Sequence, residues 1–333
     1  MERRERVSRY RDELKGLAIL WIIFFHAQFT LTGAPDLVHA FGYGGVDIFF
    51  FLMGMGLCRS RQRSADLRGY FARRLWRTLP AYLPVLLLWM AIMYPSYGLT
   101  GTEAVRGVAG NLTMTGYWLQ TPKVYNWFAN GQFFFFLIAP ACFAALNRAR
   151  RPAMALLALL ALAVLTGLAC VAQNQMMGAS RLPVFMLGMA FGLDWKISAN
   201  RKLVRWTYAA AFAAGLAVLL LCYFRYPWSL IDYGAYWYPF ALITPPLCVF
   251  LAFLFEKARK AGRFFAPLRW LGRSSFELYL LNIWMVELAK KYALTGAGRW
   301  ALLCLGNLLL GVGYHALVEK GTAALRARAK QGA

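Results

Sequence analysis

Leu14-Lys15-Gly16-Leu17-Ala18-Ile19-Leu20-Trp21-Ile22-Ile23-Phe24-Phe25-His26-Ala27 places ten uncharged residues between one cation and one imidazole. The run is long and apolar and does not alternate with period two, so it reads as a helix suited to lipid and not as a half-buried strand. The residues before it are basic, yet no small-residue cleavage site closes the run. It therefore reads as an uncleaved first span, expected near 14–33, and not as a signal peptide.

Outward from this stretch the same composition continues. Of the 333 residues, 60% are hydrophobic and only 15% are charged, too little polar surface for a soluble domain of this length. Lipid admits only helices or closed barrels, because every backbone polar group must be satisfied internally. The expected fold class is all-α: a polytopic integral membrane protein of about ten transmembrane helices. The spans lie near 14–33, 41–58, 76–97, 126–146, 153–172, 181–195, 206–225, 238–255, 272–289 and 299–318. Three segments follow: a cytoplasmic N-terminal stretch 1–13, a single transmembrane domain 14–318 and a basic cytoplasmic tail 319–333. No soluble domain, repeat or low-complexity linker is evident.

The net charge of +23 would suggest nucleic acid in a soluble chain. Here the cations cluster in short loops between apolar runs, so they report topology, and no nucleic-acid partner is expected. Alternating the loops puts 30 of the 37 Lys and Arg on the side of both termini and 7 on the other. The positive-inside rule then places both termini in the cytoplasm, with the protein in the cell membrane and lipid as its first partner. The six cysteines fall in or beside apolar runs without CxxC spacing, so neither a disulfide nor a metal site is read. Two longer outward loops, near 98–125 and 226–237, carry Tyr117, Trp118, Tyr125, Trp228, Tyr233, Tyr236 and Trp237. Such rings suit an interfacial belt or a stacking surface for a sugar.

Ionisable groups inside apolar spans are costly and ask for a partner or a task. They are His26, Asp47, Glu277, Glu287 and His315. Lys15 precedes His26 by eleven residues, which on a helix is three turns plus roughly 20°, so both share one face about 16 Å apart along the axis. A molecule entering from the cytoplasm would meet Lys15 first and the imidazole deeper. Neutral histidine suits proton transfer near pH 7, and it also serves as a helix–helix hydrogen bond. Lys15 alone reads equally as a snorkelling end residue. Asp47, in Gly44-Gly45-Val46-Asp47-Ile48-Phe49-Phe50-Phe51-Leu52-Met53-Gly54, reads as an interfacial salt bridge or cap, or as a partner that orients or charges His26. Arg74 and Arg77 share a helix face, where they supply ordinary inside charge or a bidentate phosphate site.

Taken in order, these motifs resemble the acyltransferase-3 family of integral membrane acyltransferases. The resemblance covers nearly the whole chain. Asp12, Lys15 and His26 match the family's first span, where a basic residue stands eleven before histidine. Gly45, Val46, Asp47, Phe49, Phe50 and Gly54 match its second. Arg74, Arg77, Pro80 and Tyr82 match its cytoplasmic Arg-x-x-Arg segment, Arg181, Phe185 and Gly188 a later span, and Leu271 to Asn282 a late one. The chain departs from the family at Met53, where serine is common, at Asn282, where histidine is common, and around Asn130-Gly131-Gln132-Phe133, which lacks acids some members have.

The resemblance implies a transferase-only member that moves an acyl group, often acetyl, from cytoplasmic acetyl-CoA or another acyl-CoA to a hydroxyl of an extracytoplasmic polysaccharide, glycolipid or other envelope acceptor, with no metal. It implies Arg74, Arg77 and Lys15 toward the CoA, His26 as base with Asp47 beside it, and Arg181 toward the acceptor. A transporter or flippase of a lipid-linked sugar is the competing reading from spans and buried charges alone. Against it stand the absence of a two-fold repeat and of paired broken helices. A non-catalytic scaffold would leave the shared Lys15/His26 face unexplained.

Overall fold

The computed structural model describes residues 2–171, 175–193, 201–226, 233–259, 262–263 and 265–331. Trp228, Lys196, Lys260 and the end of the span expected over 181–195 lie outside them. Among the described residues the chain is helical, without strands. The α-helices are α1 (Arg3–Arg9), α2 (Arg11–Ala27), α3 (Ala34–Ala40), α4 (Gly45–Arg63), α5 (Leu67–Ile92), α6 (Gly101–Leu112), α7 (Trp127–Arg148), α8 (Pro152–Ala169), α9 (Met176–Ala179), α10 (Leu182–Gly192), α11 (Arg201–Arg225), α12 (Pro239–Lys257), α13 (Ala266–Arg273), α14 (Ser275–Lys291), α15 (Gly296–Trp300) and α16 (Asn307–Gln331). A π-helical turn, Ala301–Gly306, joins the last two.

Among the described residues, six helical stretches are long and apolar enough to cross a membrane: Leu67–Ile92, Trp127–Arg148, Pro152–Ala169, Lys202–Arg225, Pro239–Lys257 and Gly296–Leu325. The broken pair Ala34–Ala40 and Gly42–Arg63 makes a seventh if counted as one span. The other three expected spans fall on shorter helices. α2 and α14 have 17 residues each and α10 has 11, against the roughly 20 residues that cover a hydrocarbon core. The first span also ends at Ala27 and not near 33. Gln28 takes a left-handed conformation (φ 55°), which closes the helix as a C-terminal cap does. His26 thus sits in the last turn of α2.

Two compact units emerge, each assembled from three separate stretches of chain. The first contains residues 1–14, 44–66 and 131–266. Its centre is the pair α4 and α10, which approach so closely that side chains cannot fit between them. A Cβ on Gly54 would strike the Phe185 carbonyl oxygen, and one on Gly188 would strike that of Phe51. Small residues at a crossing let backbones meet, the usual device for packing helices in lipid. Phe135 stacks on Phe185 and meets Phe50 edge-on beside this crossing. On α8 and α11, Leu157, Leu162, Leu165, Leu168, Leu221 and Phe224 stay exposed, an apolar surface that fits lipid.

The second unit contains residues 15–43, 67–130 and 267–333. α2 runs against α13 at Gly16, where a Cβ would collide with the Leu268 carbonyl. Ala27, Met285 and Leu303 form a buried cluster at the other end of α2, flanked by Phe29 and Val286. α5 carries Pro80 and Pro84 within the helix, and prolines remove ladder hydrogen bonds. In this stretch Tyr314 of α16 donates to the Ala81 carbonyl at 2.6 Å.

Candidate functional site

The two ends of α2 are tied to the α13–α14 segment within the second unit. Near the N-terminal end, Lys15 Nζ donates to the Gly272 carbonyl at 2.9 Å. Three turns on, His26 Nδ1 lies 2.5 Å from Asn282 Oδ1. The shared face read from the eleven-residue spacing is therefore the face that meets α13 and α14. Asn282 is wholly buried, and its Nδ2 has no hydrogen-bond partner among the described residues. From α15, Arg299 Nη2 donates to the His26 carbonyl oxygen at 3.1 Å. That oxygen belongs to the last turn of α2, where carbonyls lack a partner within the helix.

Phe25 packs beside His26, with centroids 5.3 Å apart, and also beside His39 of α3 and Tyr43. Phe29 stacks on Trp300 at 4.8 Å. An aromatic collar thus surrounds the end of α2 that bears the imidazole. Asn282, Arg299 and His39 were not singled out as site residues from sequence. Asn282 had a signal, since it departs from the family's histidine. Arg299 had only its place among the few outward cations. His39 had none, because nothing in the short segment between two apolar runs marks its fold partner.

Arg74 and Arg77 both lie on α5, which begins at Leu67, before the span expected from 76. Arg74 packs over the Tyr70 ring at 5.5 Å, and Arg77 is exposed. Two further groups flagged from sequence pair with one another in this unit: His315 Nδ1 lies 3.3 Å from Glu277 and its Nε2 3.5 Å from Glu319. Glu287 receives the Tyr97 hydroxyl at 3.3 Å and pairs with Lys290.

Asp47 and Arg181 meet in the first unit. Both are 1% exposed, with Arg181 Nε 3.7 Å from Asp47 Oδ1. The guanidinium also donates to the Met177 carbonyl at 2.8 Å and the Ser180 hydroxyl at 3.1 Å, and it lies over the Trp237 ring at 4.9 Å. Asp47 thus pairs with Arg181, and the His26 ring hydrogen-bonds to Asn282. The glycine-rich second-span motif and the Arg181–Gly188 motif form one helix crossing with one ion pair in it.

Motifs distant in sequence pair two by two: first span with the late Leu271–Asn282 segment, second span with Arg181–Gly188. Neither the curated proteins nor the solved structures give a match to this chain. Residues 10–315 match the family model described as Acyltransferase domain, of the acyltransferase-3 type. That match runs from the turn before Lys15 to His315 and takes in all these motifs, so the chain belongs to the acyltransferase-3 family and is a multi-pass membrane acyltransferase.

Proposed function

We propose that this protein moves an acyl group, most simply acetyl, from a cytoplasmic acyl-CoA to a hydroxyl of an extracytoplasmic polysaccharide, glycolipid or other envelope acceptor, with His26 as the general base. The observation that carries the reading is the His26–Asn282 contact. One ring nitrogen is engaged at 2.5 Å, and no partner among the described residues meets the other. The hydroxyl oxygen attacks the thioester carbonyl carbon while His26 takes its proton. The carbon–sulfur bond breaks, and the same proton leaves with CoA as its thiol. Arg74 and Arg77 hold CoA phosphates through charge-assisted hydrogen bonds, and Lys15, tied to the Gly272 carbonyl, adds positive charge at the cytoplasmic end of α2. Asp47 fixes the guanidinium of Arg181, which is assigned to the acceptor.

The test uses membrane vesicles from cells producing the protein, supplied with radiolabelled acetyl-CoA. Label should enter an envelope fraction, and His26→Gln at equal expression should lower the rate about 10²–10⁴-fold, the usual worth of a positioned base. Full transfer by His26→Gln would remove the assignment, and a protein that never consumes acetyl-CoA would point to a different donor or to transport.

A further inference from the structure

A neutral imidazole carries one proton on two nitrogens, and only the bare nitrogen accepts another. Which one is bare depends on the group that engages its neighbour. At His26 that group is an uncharged amide on α14. The charged groups acting on the ring are the cations Arg299 and Lys290, with His39 beyond the Phe25 ring. The carbonyl end of the Asn282 amide is therefore the negative pole at Nδ1. Asn282 is also held firmly: it is wholly buried, and its neighbours Leu278, Leu281 and Met285 on α14 are buried with it.

We propose that Asn282 is the positioning residue that sets the reactive tautomer of His26: Nδ1–H donates to Asn282 Oδ1, and the lone pair stays on Nε2 to receive the acceptor hydroxyl's proton. The assignment rests on His26 as the base. An amide does this without adding charge, so the ring returns to the same tautomer when Nε2 passes its proton to the departing CoA sulfur. Nδ2 of the same amide is buried and has no hydrogen-bond partner among the described residues, so the contact with His26 uses the oxygen end of Asn282 alone.

The chain has three histidines, His26, His39 and His315, so ¹⁵N-histidine NMR of the purified protein in nanodiscs reads each ring, with His26→Gln identifying its signal. The unaltered protein should show His26 with a protonated Nδ1 and a bare Nε2. Asn282→Leu should lose that pattern, and Asn282→Asp, which keeps the acceptor oxygen, should retain it. In the vesicle assay Asn282→Leu should lower transfer about 10²–10⁴-fold, the range expected when a base is disabled. Asn282→Asp should keep activity within about tenfold and move the acidic limb of the pH profile upward, because a carboxylate favours the imidazolium. A bare Nδ1 in the unaltered protein, or a His26 signal and pH profile that Asn282→Leu leaves unchanged, overturns the role of Asn282 alone. Full transfer by His26→Gln overturns the base reading beneath it.

Discussion

Each ionisable residue that the sequence places inside an apolar run has a partner: His26 with Asn282, Asp47 with Arg181, Glu277 with His315, Glu287 with Tyr97 and Lys290. The cost of burying an ionisable group predicts that a partner exists, but not which one. The choice turns on which helices pack. Asp47 illustrates the consequence. A buried pair that loses one member leaves an uncompensated charge, at a cost of about 3–5 kcal/mol, whereas replacing both with apolar residues is often neutral. Asp47→Leu and Arg181→Met should each lower thermal stability in detergent, and the double variant should recover much of the loss. Additive losses would show that the two side chains act independently. At the other end of the reaction, the Arg74→Ala, Arg77→Ala double variant should raise KM for acetyl-CoA with kcat largely kept, since phosphate contacts far from the thioester supply uniform binding. An unchanged KM would remove the phosphate assignment.

At the scale of elements, helix identity was legible and helix ends were not. The apolar runs fix where helices form, but α2 stops at Ala27 because Gln28 adopts a left-handed backbone. Hydropathy does not encode that local choice. The same stop puts His26 in the terminal turn, within reach of Arg299 on α15. The glycines carry the next layer. Gly54 and Gly188 look unremarkable as single residues in apolar helices, yet together they let α4 and α10 touch backbone to backbone. Gly188→Leu should force these helices apart, and overpacking of this kind costs about 1–3 kcal/mol. A fall in melting temperature, with loss of the Asp47–Arg181 coupling in the double-variant cycle, is the expected readout. An unaltered melting temperature would show that the crossing yields easily.

For the whole molecule, the 30-to-7 division of Lys and Arg predicts both termini in the cytoplasm. Reporter fusions check this directly: a cytoplasm-active reporter should work at residue 1 and at residue 333, and one active only outside the cytoplasm at neither. Opposite behaviour at the two ends would require an odd number of crossings. Among the described residues six stretches stand as spans by length and apolarity, and up to seven with the broken pair. Fusions in the connections flanking α2, α10 and α14 would then show whether these shorter helices cross as well.

By itself the sequence determined the solvent, the helical class and the family, because composition and the spacing of a few polar residues in lipid leave little freedom in these. It also put Lys15 and His26 on one face, since helix geometry is local. Only the tertiary structure decided that this face meets Asn282, that Asp47 meets Arg181, and that two small residues permit the second pairing. Those contacts join residues more than a hundred positions apart, and local periodicity carries no information about which distant helix will close against which.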